Sequence, residues 1–523
     1  MRDSDTPLLP VAGNADDHAG FHAHVGRISR QSAIFFAGTI FTAAASYVFK
    51  IYVARSLGAR ALGIYALGMT ATGLLGVFAG GGLPQTATRF VAAYSATQQY
   101  EKLRVFLWRG AGILALLQIA ACVVLMATKN FVAHRIYHTP EIALYMSFFV
   151  GLMFLGAFTS FLSEVLAGYR DVTRRTIIVN FIGTPLLIIC VVIFLALGFG
   201  LWGYLLGQLI TSSLVLALLA AVVWKLTPAP TPSAPRPPAQ TGNEIAFYAL
   251  TLLGSQTLTF FLAQSDRIAL GIFTTATDVG VYALALGLSA FVSIALQSVN
   301  QIFTPTISEL HAKGDGATLS RLYRTLTKWT LALTIPLAFS VMIFSYPLMR
   351  LFGPDFGRGW IVLAIVVAGE LANCGVGSVG MILLMTGKES RLLRIQMWLT
   401  PLVILLNFVF IPIWGLVGAA IVASLTNVMT NLWCLFEVER SLTIHPSMRG
   451  YLQLFPASLL TVAFIIALRF FTRGTHAQLV IIAGTILAAY AIFAATFAIL
   501  STDEDDRFIL RTAWARLRQL GQT

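Results

Sequence analysis

Long apolar stretches without any charge alternate along this chain with short polar connections. The clearest of them runs from Arg175 to Lys225, and no charged residue intervenes. The glycines of Gly198-Phe199-Gly200 divide this run into two segments. Each is long enough to supply the roughly 20 helical residues that cross a hydrocarbon core. The pattern predicts a polytopic membrane protein, in which charges inside the spans are costly and therefore informative.

The same pattern predicts fourteen transmembrane helices and an all-α fold. Two six-helix halves are expected to surround a central cavity, with a helix pair added after them. The predicted spans lie at about 33–54, 61–83, 105–128, 142–166, 175–197, 200–224, 245–272, 279–305, 326–351, 359–386, 394–413, 415–437, 451–470 and 477–500.

A duplication within the chain supports the division into halves. Gly63-Ile64-Tyr65-Ala66-Leu67 opens the second predicted span, and Gly280-Val281-Tyr282-Ala283-Leu284 opens the eighth. Gly200-Leu201-Trp202-Gly203 and Gly415-Leu416-Val417-Gly418 open the sixth and the twelfth at nearly the same offset. Because six is an even number of spans, the halves would share one orientation as parallel repeats.

The expected organisation follows from these repeats and from a Pro-rich run between them, which favours an extended linker. It comprises an N-terminal cytoplasmic tail (1–30), a first lobe (31–224), a cytoplasmic linker (225–243), a second lobe (244–438), an extra helix pair (450–500) and a cytoplasmic tail (501–523).

Composition and charge set the orientation and exclude several classes. The 523 residues are 57% hydrophobic and 11% charged, with a net charge of +13. An N-terminus in the cytoplasm places 25 of the 35 lysines and arginines on the inner side, so both termini are expected there. No Walker loop, GxSxG or HExxH occurs, and no metal-ligand spacing is present. We therefore expect neither an enzyme nor a nucleic-acid partner, a metal or a cofactor. Coupling to a proton or sodium gradient stays open.

The candidate binding residues are polar groups within or beside the spans. A lysine and an arginine at matching positions of the two halves would flank their interface and could hold a polyanionic headgroup. The alternative is that both reach to the outer membrane surface. The stronger candidates are Lys50, Arg89, Asp266 and Arg267, and the weaker ones are Arg55, Gln85, Gln264, Asn300 and Glu370.

Three of these candidates have a structural alternative. Arg89 follows Gly80-Gly81-Gly82-Leu83-Pro84-Gln85 and could receive a phosphate or only set the orientation. Asp266 could pair with a neighbouring cation. Glu370 could bind a coupling ion or pair with a cation.

Two segments resemble a known family of transporters. The run Ala54-Arg55-Ser56-Leu57-Gly58-Ala59-Arg60-Ala61-Leu62-Gly63-Ile64-Tyr65 resembles the first loop of Wzx-like polysaccharide-lipid flippases. Ser265-Asp266-Arg267 and Asp278-Val279-Gly280-Val281-Tyr282 resemble the same element in their second half. These flippases belong to the multidrug/oligosaccharidyl-lipid/polysaccharide exporter superfamily, which includes the MATE and MurJ folds.

The resemblance implies alternating access and a basic central cavity, to which Lys50, Arg89 and Arg267 would map. It implies a cargo of oligosaccharide linked to undecaprenyl pyrophosphate, moved to the periplasmic leaflet of a bacterial inner membrane for O-antigen or exopolysaccharide synthesis. Membrane lipids, a polysaccharide polymerase and chain-length proteins would be its partners.

Two other functions remain as alternatives. A cation-coupled multidrug exporter of the same superfamily would be expected to carry an acid in the first span, where this chain has Lys50. A polysaccharide polymerase or ligase would be expected to carry a substantial outer loop, and the longest found here is about 128–141.

Overall fold

The computed structural model describes residues 15–227, 240–442, 448–472 and 478–500. Every regular element in these ranges is helical. The helices are α1 (Ala15–Gly80), α2 (Leu83–Ala96), α3 (Tyr100–Phe131), α4 (Glu141–Gly168), α5 (Val172–Thr176), α6 (Thr184–Ala196), α7 (Gly200–Leu226), α8 (Gln240–Phe273), α9 (Ala276–Ser289), α10 (Ile294–Ala312), α11 (Gly316–Ile343), α12 (Ser345–Arg350), α13 (Trp360–Val376), α14 (Val379–Met385), α15 (Glu389–Leu442), α16 (Met448–Phe471) and α17 (Gln478–Leu500). Two π-helical segments, Val132–Ile136 and Ile177–Gly183, and a 3₁₀ turn at Pro354–Gly359 complete the list.

Eleven helices of the described ranges are long and apolar enough to cross a membrane, or twelve if α9 and α10 form one bent span. The predicted count of fourteen is therefore not confirmed. Two of the eleven are long helices that each contain a non-helical glycine, Gly58 in α1 and Gly415 in α15. These glycines lie where the sequence predicts a boundary between two spans. A single residue with positive φ makes each turn, so no separate loop divides the helix.

Two predicted spans, the eighth and the tenth, are interrupted in the structure, and the second ends at a glycine break close to its predicted end. The eighth bends by 52° between α9 and α10. The tenth ends α13 at Gly377, whose φ of 79° is left-handed, and resumes as α14. The second ends at Gly80 and resumes as α2 after two glycines of positive φ. Glycine adopts this conformation without the steric cost that other residues carry, and a hydropathy pattern does not register it.

Local chemistry also fixes where helices begin. Thr275 caps α9 by accepting from the backbone N–H of Asp278, while the Asp278 carboxylate accepts from the Thr275 backbone N–H. Asp315 caps α11 by accepting from the backbone N–H of Thr318. Such caps pair N–H groups that the first helical turn leaves free.

The two halves meet where α1 crosses α9. A methyl group added to Gly63 would collide with the carbonyl oxygen of Ala276, and one added to Gly280 would collide with that of Ala59. Residues 63 and 280 are 217 positions apart, as are residues 59 and 276. Gly63 of the first half contacts Ala276 of the second, and the equivalent residues Gly280 and Ala59 make the same contact with the halves exchanged. Such reciprocal contacts are characteristic of a two-fold relation. The contact agrees with parallel repeats, while the exact lobe boundaries stay predictions.

The last two helices pack beside α11. Ala332 and Ile335 of α11 form a buried cluster with Leu454 of α16 and with Phe493 and Phe497 of α17. In the same region Lys328 of α11 donates to the Gln453 side chain over 2.5 Å. The helix pair is thus attached to the second half of the chain.

The outer surface is apolar, as a lipid environment requires. Large hydrophobic side chains stand exposed on many helices, among them Phe247, Phe471 and Leu487. A soluble monomer rarely exposes so much contiguous apolar surface.

Candidate functional site

A cavity of about 450 Å³ lies between the halves, beside the crossing of α1 and α9. Lys50 of α1 and Arg267 of α8 both line it, together with Gln264. Gly287 of α9 has no side chain, and a methyl group there would lie 3.6 Å from the Lys50 ammonium. The structure thus brings together the two cations that the repeat offset relates, and we call this space the cationic cavity.

The guanidinium of Arg267 uses only some of its N–H groups in hydrogen bonds to other described residues. One of its terminal nitrogens donates to the Gln264 carbonyl oxygen over 2.6 Å. Its Nε is buried and has no partner in the part of the chain that the structure describes. A guanidinium carries five N–H donors in one plane. The side chain therefore has enough free donors to bind an oxyanion in a bidentate manner.

Asp266 supports Arg267 instead of lining the cavity. Its carboxylate accepts from the Tyr282 hydroxyl over 2.5 Å and from the Arg267 backbone N–H over 2.7 Å. The residue is only 8% exposed. The alternative that Asp266 pairs with a neighbouring cation stays a prediction, and the hydrogen bonds seen here come from a hydroxyl and a backbone N–H. Tyr282, two residues after Gly280, donates one of these bonds and joins α9 to α8.

Tyr282→Phe should destabilise the protein without removing any cavity group. The change leaves one oxygen of a buried carboxylate without its donor, a loss of about 1–3 kcal/mol. Thermal unfolding of the purified protein measures it. Tyr346→Phe is the matched control, because that hydroxyl is exposed and accepts only a long bond of 3.5 Å from Arg350. Equal melting temperatures for the two variants would contradict the assigned role of Tyr282.

A second cavity of about 370 Å³ adjoins the first. The two share Met69, Gly73 and Phe260 as lining residues. The candidate Gln85 lines the second cavity, as do Gln118 and Gln256. The sequence reasoning missed the last two, although an amide inside the apolar run of α3 was a signal that could have found Gln118. We call this space the amide cavity.

Two arginine candidates lie outside the lining of both cavities. Arg89 is exposed, and its guanidinium carbon lies 4.4 Å from the centre of the Tyr248 ring. This cation–π contact links α2 to α8. Arg55 is exposed and donates from Nε to the Leu351 carbonyl oxygen over 2.6 Å. Both side chains thus connect the first half to the second.

The remaining two candidates lie in the second half, also outside the lining of these cavities. The Asn300 side-chain oxygen is buried without a partner among the described residues. Glu370 of α13 accepts from the amide of Asn373 over 3.2 Å and from that of Asn427 on α15 over 3.3 Å. Within the described ranges no ion pair joins Glu370 to a cation. Of its two predicted roles, pairing with a cation is therefore not seen among these residues.

Two solved structures of similar fold are membrane transporters. The chain superposes on the lipid II flippase MurJ in an inward closed conformation with a TM-score of 0.69, at 15% identity, covering 89% of this chain and 98% of that one. An inward-facing MATE family multidrug transporter matches with a TM-score of 0.63, at 16% identity, covering 78% and 94%. At this identity the likeness concerns the fold, and it confirms the predicted all-α architecture.

Sequence relatives come from the archaeon Haloferax volcanii. The probable low-salt glycan biosynthesis flippase Agl15 is 24% identical over 215 residues, which cover 41% of this chain and 45% of that protein. The probable flippase AglR is 25% identical over 187 residues, covering 35% and 39%. The chain thus spans less than half the length of either relative. Residues 28–311, more than half of the chain, match the profile of the family described as Polysaccharide biosynthesis protein, and the chain belongs to that family.

Proposed function

We propose that this protein is a flippase for a lipid-linked oligosaccharide. The cargo would be carried on undecaprenyl pyrophosphate and moved by alternating access from the cytoplasmic to the periplasmic leaflet of a bacterial inner membrane. Its product would serve O-antigen or exopolysaccharide synthesis, next to a polymerase and chain-length proteins.

The observation that carries this proposal is that Lys50 and Arg267 line one cavity between the halves. A diphosphate has several anionic oxygens, and paired cationic donors bind it best where the local dielectric constant is low. Cations at this place favour an anionic cargo over the positively charged compounds that a multidrug exporter with an acidic site would hold. Both curated relatives are named as probable flippases, which gives the polymerase or ligase alternative no support.

The crossing of α1 and α9 supports alternating access. It brings the backbones of the two halves together at Gly63 and Gly280, beside one end of the cationic cavity, whose lining includes Gly280. With the N-terminus in the cytoplasm, as the distribution of basic residues predicts, this end faces the periplasm. The cargo would then enter from the cytoplasmic side, and the crossing would open to release it.

A gene deletion tests the proposed function. Loss of the protein should abolish the surface polysaccharide while lipid-linked repeat units accumulate in the inner leaflet. A plasmid copy should restore both, and a copy encoding Arg267→Ala should restore neither. Normal surface polysaccharide in the deletion strain would refute the proposal.

Coupling to a proton gradient is proposed at Glu370. Its carboxylate is half-buried and bonded to two neutral amides, so a proton could bind there without displacing a charged partner. Asn427 in turn accepts from Asn431 over 2.9 Å, which links the site to the next turn of α15. Cys374, one turn along α13, is buried beside it.

Glu370→Gln should therefore uncouple transport from the proton gradient. The variant keeps the size of the side chain and can accept one of its two amide hydrogen bonds, but it cannot release a proton. In proteoliposomes, an imposed pH gradient should accelerate transport by the parent protein and leave the variant unaffected. Glu389→Gln, at the start of α15, provides a matched control. Equal stimulation of Glu370→Gln and the parent would contradict this role, as would a response of the parent to a sodium gradient alone.

A further inference from the structure

Gln118 is the most unusual polar residue among those that the structure describes. It lies in the middle of α3, its side chain is fully buried, and neither its amide nitrogen nor its carbonyl oxygen has a hydrogen-bond partner. Nearly all buried polar groups in folded proteins are paired. The Gln118 amide has two donor hydrogens and an acceptor oxygen, and leaving them unpaired lowers the stability of the fold. A ligand that paired with them would remove this cost.

Gln118 is one of the residues that line the amide cavity. Four other helices contribute to the same cavity, including Gln85 from α2, Ser160 from α4 and Gln256 from α8. Three glutamines and two hydroxyl residues, Thr72 and Ser160, therefore line one space between the two halves. Gly76, Gly80 and Gly156 form parts of its wall, where the missing side chains leave room beside the backbone.

The lining of the amide cavity contains no charged residue. Amides donate and accept hydrogen bonds without a net charge, so the cavity suits a ligand rich in hydroxyl and acetamido groups better than an anion. The ring of Phe260 packs against Gly73 and offers an apolar face in the same space. Its volume of about 370 Å³ is within the usual range for sites of small ligands.

The amide cavity adjoins the cationic cavity. Met69, Gly73 and Phe260 belong to the lining of both. A ligand could therefore place an anionic group at Lys50 and Arg267 and a neutral polar group at the glutamines. A sugar attached directly to a diphosphate has this chemistry.

We propose that the amide cavity is the sugar subsite of the transporter, with Gln118 as a binding residue for the sugar nearest the diphosphate. This inference rests on the proposed function, because it assumes a cargo whose diphosphate occupies the cationic cavity. It adds a role that the cations cannot fulfil, since they recognise the diphosphate whatever it carries. The amides would distinguish a glycan-bearing lipid from the bare carrier.

Two probes separate these roles in a binding assay. One is a polyprenyl diphosphate without sugar, and the other is the same lipid bearing one N-acetylhexosamine. The parent protein in nanodiscs should bind the sugar-bearing lipid more tightly. Gln118→Leu should weaken binding of that lipid roughly 10-fold and leave the bare lipid unaffected. Arg267→Ala should weaken both, and Gln297→Leu, whose amide bonds to Ser293 outside both cavities, should weaken neither.

Thermal unfolding distinguishes a ligand-binding glutamine from a structural one. Because Gln118 has no partner to lose, Gln118→Leu should melt at the same temperature as the parent or higher. A lower melting temperature would identify a structural amide and overturn the proposal for this residue. Gln256→Leu provides a second test of the subsite, with the same selective loss of the sugar-bearing lipid expected.

The outcomes distinguish a failure of the proposed function from a failure of the sugar subsite alone. If neither lipid binds the parent protein, the proposed function fails and the subsite fails with it. If both lipids bind and respond to Arg267→Ala, but the two glutamine variants affect them equally or not at all, the proposed function stands and the sugar subsite is refuted.

Discussion

Arg267→Ala is expected to abolish transport while the amount of protein in the membrane stays normal. The change removes a cation from the cationic cavity, where a charge-assisted bond is worth about 1.5–3 kcal/mol. Since about 1.4 kcal/mol corresponds to a factor of ten, activity should fall at least roughly 10-fold from this interaction alone. Arg267→Lys should retain part of the activity, because lysine keeps the charge but loses the planar fork. Transport in reconstituted vesicles measures both.

The control for this prediction is Arg324→Ala. Arg324 is exposed on α11 and bonds only to Ser320 within the described contacts, far along the chain from the cavity lining. Its replacement should leave transport unchanged. Activity retained by Arg267→Ala at a normal protein level would show that this cation does not hold the cargo.

Gly63→Val should prevent the crossing of α1 and α9 from closing. Its side chain would meet the backbone at Ala276, which cannot rotate away. Overpacking of this kind costs about 1–3 kcal/mol, enough to shift a conformational equilibrium by about 5- to 150-fold. We expect loss of transport, together with labelling of Leu284→Cys in the cationic cavity by a membrane-impermeant maleimide added outside. A background without the four native cysteines avoids unwanted labelling.

Gly254→Val provides the matched control for the crossing. Gly254 is also a helical glycine, on α8, but a methyl group there meets no atom within 4 Å. The same substitution should therefore leave transport and labelling at the level of the parent. If Gly63→Val also transports normally, the crossing does not act as a gate.

The architecture was largely predictable, because hydropathy and repeats report directly on membrane spans. The breaks within the spans were not. Gly58 and Gly415 turn the chain without a polar loop, and the bend between α9 and α10 lies inside an unbroken apolar run. Such features depend on backbone angles, which leave no trace in a hydropathy pattern.

The candidate site was predictable only where symmetry helped. Lys50 and Arg267 were related by the repeat offset and do share a cavity. The hydrogen bond from Tyr282 to Asp266 joins two helices, and no sequence spacing predicts it. Gln118 escaped notice because its importance lies in lacking a partner, which only the folded structure can reveal.

The approximate two-fold relation does not extend to the residues that line the cavities, and this affects how a bound molecule is oriented. At the crossing, both halves present the same glycines. Around the cationic cavity they differ, since Lys50 has an arginine as its counterpart, and the lining residue Phe49 has Asp266, which lies outside the lining. The three glutamines also come unequally from the two halves. A symmetric frame with an asymmetric lining distinguishes the two ends of a bound molecule, so the transport proposed above would begin each cycle with the cargo in the same orientation.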